Sequence, residues 1–199
     1  MIVDTVVLAG GRSSRMGTDK ALLRKGGIPL LGTLVEACRS CRRVVVVAPE
    51  AVALAALREF AGHDGVTTAL EDPPFGGPVA GLGAGLAALP GDADAVLVLA
   101  CDLAHGPQVA RALLGAALDW PEQADALCLV DATGYPQHLA AIYRRLALQG
   151  AISALSGIRD VSVRRLVANL RFAPVDAPVA LAADVDDPDA ARRLGLEAG

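Results

Sequence analysis

The sequence predicts an α/β domain in which a mostly parallel sheet carries helices on both faces. Two observations support this. Apolar runs at residues 3–9, 44–48, 66–70, 95–100 and 126–130 read as buried strands. Helix-like stretches at 29–41, 51–61, 80–89 and 108–118 separate most of them, and such alternation builds parallel sheets. Further strands are expected at 138–143 and 172–175, one of them antiparallel, with 146–155 and 159–170 partly helical. Prolines fall singly or in short turns, and neither a repeat nor a linker interrupts the chain. Residues 1–199 are therefore expected to form one domain.

Composition narrows the function. The chain is 53% hydrophobic with a mean hydropathy of +0.45, yet no apolar stretch nears the roughly 20 residues that span a bilayer. Its first residues include Asp4 and lack a basic region, unlike a signal peptide, so a cytoplasmic protein without membrane partners is expected. A net charge of −4 argues against nucleic-acid binding. Charge is unevenly spread: residues 1–50 hold eight Lys/Arg against four Asp/Glu, the remainder ten against eighteen. A basic first segment in an acidic chain suits a small anionic ligand.

That basic segment follows the first strand. Residues 3–9 break into Gly10-Gly11, and Arg12, Arg15, Gly17 and Lys20 follow. Double glycine leaves the backbone free to take φ > 0, and bare amides beside fixed cations suit a polyphosphate. Walker A is excluded, because Thr18 rather than lysine follows Gly17. The dinucleotide pattern G-x-G-x-x-G is also absent.

The next helix carries Cys38 and Cys41 near one face. With Cys101 and Cys128 forming no second pair, these read as buried, reduced thiols rather than metal or redox ligands. After the third strand come Glu71-Asp72-Pro73-Pro74 and then Gly76, Gly77 and Gly81, glycines that admit close approach of a flat ligand and open a helix near Val79. A flexible loop before a packed helix would use the same residues.

The fourth strand ends at Cys101-Asp102-Leu103-Ala104. An acid at the carboxyl end of a buried strand is poorly placed for solubility alone, and magnesium prefers carboxylate and phosphate oxygens. Asp102 is therefore the expected Mg²⁺ ligand, against a helix-capping alternative. Near the far end, alternation sets Asp184 and Asp186 on one side of an extended segment, where two carboxylates face one cation. A helix starting at Pro188 would be capped by the same segment. His63, His105 and His138 lack a partner acid at a diagnostic spacing, and no acid/base role is assigned to them.

The stretch from Leu8 to Leu23, L-A-G-G-x-S-x-R-M-G-x-x-K-x-L-L, resembles the signature of the MobA-like nucleotidyltransferases. Gly77-Pro78-Val79-Ala80-Gly81-Leu82 is similar to the family's G-P-L-A-G-L, and 134–143 to a segment ending Q-P-L-x-A-x-Y. Two positions depart from the pattern: Ala104 stands where C-D-x-P has proline, and His138 replaces the proline of Q-P-L.

The resemblance implies a Rossmann-like three-layer nucleotidyltransferase fold and transfer of GMP from GTP to the phosphate of molybdopterin, with pyrophosphate released. Cytidylyl or sugar-1-phosphate transfer, or a silent nucleotide-binding homologue, are the alternatives. It implies a nucleotide site at Leu8, Ala9, Gly10, Gly11, Lys20, Asp72, Gly77, Gly81 and Asp102. Arg15, Lys20 and Asp102 would be catalytic, with Mg²⁺ (or Mn²⁺ in its place) held by Asp102 and Asp186. The attacking phosphomonoester is already largely dianionic at neutral pH, so no general base is required. GTP and the molybdenum cofactor are the expected partners, together with molybdoenzyme maturation proteins. A monomer or weak homo-oligomer is expected.

Overall fold

A computed structural model describes residues 1–10, 20–58, 65–182, 185 and 188–197. At its centre lies β1 (Val3–Leu8), buried along its whole length. Six further strands join it: β4 (Val44–Val47), β5 (Val66–Ala69), β6 (Ala95–Ala100), β7 (Ala126–Val130), β8 (Pro136–Arg144) and β9 (Phe172–Pro174). Their order is β5-β4-β1-β6-β8-β7-β9, and only β8 runs antiparallel to its neighbours. A short antiparallel sheet forms from β2 (Arg24–Lys25), β3 (Ile28–Pro29) and β10 (Leu196–Glu197), which the sequence pattern does not foreshadow.

The helices divide between two layers. On one face α1 (Leu30–Ala37), α2 (Glu50–Leu57) and α4 (Gly106–Ala116) cover Val7, Val46, Leu97 and Leu99. On the other, α3 (Pro78–Ala88), α5 (Arg145–Ser153) and α6 (Val163–Leu166) cover Val6, Val45, Val47 and Val98. Consecutive residues of each strand thus serve opposite cores, which is why the runs are continuously apolar. A third, smaller cluster joins Leu23, Leu30, Ala104, Val185, Ala191 and Leu196, and seats α7 (Pro188–Arg193) beside the small sheet. The three-layer α/β architecture is the one expected.

Boundaries differ in places. Helix α1 stops at Ala37, so Cys38 is its C-cap and Cys41 lies beyond it, held by the bond from Cys41 N–H to the Cys38 carbonyl at 2.9 Å. Both are nonetheless buried, and burial pushes the Cys38 thiol up to about 12. Helix α3 begins at Pro78 because Pro suits a first turn whose N–H has no partner. Its N-cap, Gly77, sits at φ +86° and ψ 176°, a region essentially confined to glycine. Midway along α3, a Cβ on Gly85 would stand 2.6 Å from Val6 Cγ1, so glycine sets how closely α3 approaches β1.

At the amino end of β1, the Asp4 carboxylate is fully buried and takes both Arg42 Nε (3.0 Å) and Nη2 (2.8 Å). Arg145 Nη1 stands 3.8 Å away and Arg42 also reaches Asp92 at 2.8 Å. This network closes the end of the sheet opposite the strand termini described next.

Candidate functional site

In open α/β sheets the ligand crevice lies beyond the carboxyl ends of the strands, where strand order reverses. Here the order reverses at β1, with β4 on one side and β6 on the other. A cleft of about 920 Å³ opens at this end. It is lined from β1 by Leu8, Ala9 and Gly10, from β4 and its loop by Val47 and Pro49, and from β6 by Ala100–Leu103. The loop after β5 contributes Leu70, Glu71, Pro74 and Phe75; the start of α3 adds Gly77 and Gly81. Antiparallel β8 begins at this same end, so Tyr135–Ala140 form the opposite wall.

In the floor of the cleft, Lys20 Nζ lies 2.8 Å from Asp102 Oδ2, both groups about one-fifth to one-quarter exposed. Lys20 opens a single 3-10 turn, Lys20–Leu22, whose Ala21 is fully buried and anchors it. Asp102 lies two residues past the end of β6, and the intervening Cys101 N–H bonds the Leu8 carbonyl at 3.0 Å, tying the two strand ends together. Val185 N–H donates to the Asp102 carbonyl at 3.0 Å. Ala104, where the family pattern has proline, is buried in the cluster with Val185 and Leu196.

Of the expected site residues, the structure brings Leu8, Ala9, Gly10, Lys20, Gly77, Gly81 and Asp102 to one cleft. Gly11, Arg15 and Asp186 lie outside the described residues, as do Arg12, His63 and Asp184. Gly10 lies outside the left-handed region, so the conformational freedom expected of it is not used there; a Cβ would stand 3.5 Å from the Val47 carbonyl oxygen. Gly81 serves packing as well, since a Cβ there would lie 3.4 Å from Val47 and 3.5 Å from Leu8.

Asp72 is the residue displaced from expectation. It is exposed and lies outside the cleft lining, whereas Glu71 faces inward and accepts from Gly76 N–H at 3.2 Å. Asp160 N–H bonds the Gly76 carbonyl at 2.8 Å and Arg159 reaches the carbonyls of Pro73 and Pro74. This bracing holds Phe75 at φ +63° on the cleft wall. Sequence reasoning also missed Tyr135 and Gln137. Gln137 Nε2 donates to Asp131 Oδ2 at 3.0 Å, while Asp131 Oδ1 takes the Thr133 and Tyr135 N–H groups. The Thr133 hydroxyl, which donates to Asp131 Oδ1 at 2.6 Å, and after it those backbone and Gln137 bonds, hold the Asp131 carboxyl below the usual carboxylate range.

The donor set suits a hard divalent cation. Asp102 offers carboxylate oxygen in a partly open cleft, and magnesium takes one or two carboxylates with substrate phosphates and water. Among the described residues no cluster of three or more His, Cys, Asp or Glu forms an all-protein cage. No helix among them is long and apolar enough to cross a membrane.

A family model described as the MobA-like NTP transferase domain matches residues 5–183. The chain is 30% identical over 195 residues to the "Molybdenum cofactor guanylyltransferase" of Rhodobacter capsulatus, spanning 95% of this chain and 93% of that one. It is 36% identical over 149 residues to the "Probable molybdenum cofactor guanylyltransferase" of Trichormus variabilis, spanning 70% of this chain. There the match covers 65% of the relative's length, and for the Synechococcus elongatus relative 58%. Rv0371c from Mycobacterium tuberculosis H37Rv superposes with a TM-score of 0.71 at 29% identity, over 98% of this chain and 97% of that one. A structure of that protein in complex with manganese gives 0.66 at 25% identity, over 98% of each chain.

Proposed function

The chain belongs to the MobA-like NTP transferase family, and from that premise we propose that it transfers GMP from GTP to the phosphate of molybdopterin, releasing pyrophosphate. The observation that carries the reading is the Lys20–Asp102 pair, 2.8 Å apart in a cleft at the point where strand order reverses. Sequence relatives bearing the guanylyltransferase name support the choice of nucleotide and acceptor.

The reaction joins an acceptor phosphate oxygen to the α-phosphorus of GTP and breaks the bond from that phosphorus to the pyrophosphate oxygen. Acceptor phosphate enters largely as its dianion, so the protein supplies position and positive charge rather than a base. Lys20 brings a fixed ammonium to the cleft that Gly10 also lines and there offsets charge on the departing pyrophosphate. Gly10 adds to that anion-binding surface, and Gly11 and Arg15, which lie outside the described residues, keep the nucleotide-binding and catalytic roles that the resemblance implies. Glu71 and Phe75 border the region left for the base. Asp102 would hold a divalent cation, with Asp186 as its second carboxylate; such an ion supplies Lewis-acid charge stabilisation at the phosphates. Magnesium is the proposed ion, manganese its substitute. We assign the protein to the cytoplasm, in the company of molybdoenzyme maturation proteins.

The test is turnover of the protein with molybdopterin, magnesium and either GTP or CTP, with chromatographic detection of the dinucleotide. GMP transfer with GTP supports the proposal, and transfer with CTP alone overturns the base. Nucleotide binding without transfer overturns the reaction.

A further inference from the structure

The turn between β7 and β8 is built around one carboxylate. Asp131 Oδ1 accepts the Thr133 N–H at 2.8 Å, the Thr133 hydroxyl at 2.6 Å and the Tyr135 N–H at 3.0 Å, while Oδ2 accepts from Gln137 Nε2 at 3.0 Å. Gln137 sits where β8 leaves register. Cys128 of β7 faces Ala141, but the next residue, Leu129, faces Gln137, so His138, Leu139 and Ala140 have no partner on β7. Such a bulge re-aims side chains beside a site, and Gln137 lines the cleft.

The bonds fix which way round the Gln137 amide lies. A carboxylate only accepts, and so does the Tyr135 carbonyl, which takes Nε2 at 3.4 Å. A reversed amide would set oxygen against oxygen at both places. Both Nε2 hydrogens are thus committed to the turn, and Oε1 makes no hydrogen bond among the described residues. Among those residues the buried side-chain polar atoms without a partner are Thr5 Oγ1, His138 Nδ1, and Arg145 Nε and Nη1. Gln137 Oε1 is not one of them, so it stays within reach of a ligand. The half-buried side chain therefore offers an acceptor whose polarity is set by Asp131.

We propose that Gln137 determines specificity: its Oε1 accepts a hydrogen bond from the amine of a 2-amino-4-oxo nitrogen ring, and Asp131 is the positioning residue that fixes the amide. The inference rests on the proposed function and deepens it. Guanine and pterin both carry this ring edge, so a fixed acceptor favours either over a ring that lacks the amine.

The experiment measures equilibrium binding of GTP, of inosine triphosphate (the same nucleotide without the amine) and of molybdopterin. Calorimetry reads the nucleotides and pterin fluorescence the acceptor, for the wild type, Gln137→Met and Asp131→Asn. Thermal midpoints and wild-type turnover accompany them. Asparagine keeps Oδ1 for Thr133 and Tyr135 but sets Nδ2 against Gln137, so the Gln137 amide turns over and aims Nε2 where Oε1 stood. Each variant is expected to weaken binding of the aminated ring by about tenfold, with the Gln137→Met midpoint close to wild type. If guanine is the partner, the wild-type preference for GTP over inosine triphosphate disappears in both variants. If pterin is the partner, molybdopterin binding falls and that preference is unchanged. Either result upholds the inference and identifies the ring. Unchanged binding of GTP and molybdopterin in Gln137→Met overturns it. An equal loss for all three ligands with a lowered midpoint also overturns it, by making Gln137 a packing residue. A loss in Gln137→Met that Asp131→Asn does not share overturns the role of Asp131. Wild-type protein that shows the expected binding without transfer refutes the proposed reaction and leaves this contact standing. Wild-type protein that binds neither GTP nor molybdopterin refutes both.

Discussion

Lys20 Nζ and Asp102 Oδ2 meet at 2.8 Å although 82 positions separate them in the chain. The meeting follows from β1 and β6 being parallel neighbours in register from Val3↔Ala95 to Leu8↔Ala100, so that both strands end at one level. A cation and an anion held this way neutralise each other until a polyphosphate and its metal compete for them. Replacing either therefore acts on turnover more than on the fold. Lys20→Ala and Asp102→Asn are expected to lower kcat by roughly 10²- to 10³-fold, the usual effect of losing one preorganised charge-stabilising group. Circular dichroism should match the wild type. Full turnover in Lys20→Ala would remove this residue from the mechanism.

Helix α3 packs on the sheet through Gly85, whose missing Cβ leaves room for Val6 and Val47. Gly85→Ala places carbon against Val6 Cγ1 and is expected to destabilise by about 1–3 kcal/mol. Gly150, exposed within α5 with open space where a Cβ would stand, gives the opposite sign. Gly150→Ala is expected to stabilise by about 0.5–1 kcal/mol. Urea denaturation of the two variants side by side checks the pair, and equal shifts would refute the packing argument.

The buried Asp4 carboxylate depends on Arg42 for two hydrogen bonds. Removing one partner of a buried pair leaves an uncompensated charge and costs far more than the pair contributes. Arg42→Ala is therefore expected to lower the thermal midpoint markedly. Arg39→Ala, whose ionic partner Glu36 stands in solvent, should move it little. Differential scanning fluorimetry separates the two. Because this network closes the end of β1 away from the cleft, nucleotide affinity of the folded fraction should stay unchanged.

Acid stability offers another check. Arg171 donates to Asp125 through Nε and Nη2, and these bonds bring the Asp125 carboxyl down to about 2. A depressed carboxyl stabilises the fold above its unfolded value of about 3.9 and loses that contribution as pH falls toward 2. In Arg171→Ala the decline of stability between pH 4 and pH 2 should become shallower, while stability near pH 7 drops. An acid limb of unchanged slope would show that Asp125 is not among the groups that set it.

The central strands were legible because they are buried on both faces and so appear as unbroken apolar runs. Asp102 was legible for a related reason: a single charge at the end of such a run has few structural uses. The small sheet was not, since strands such as Arg24–Lys25 and Ile28–Pro29 are too short to show any period. Neither was the choice between Glu71 and Asp72. The two acids are adjacent, and the turn that points one inward depends on Gly76 and on Arg159 from far along the chain. Gln137 was not legible because the bulge that sets it opposite Leu129 comes from a register shift against β7, which no local pattern encodes.

The bond from Val185 to the Asp102 carbonyl, together with the pairing of β10 on β2, has a consequence for synthesis. A ribosome that has made everything through α5 has already added Lys20 and Asp102 to the chain, yet the segment that braces Asp102 is still unmade. At elongation rates of about 5–20 residues per second, an interval of seconds separates a collapsed nascent domain from a complete cleft. Translation order thereby places the bracing of Asp102 after both charged groups of the cleft have been added to the chain.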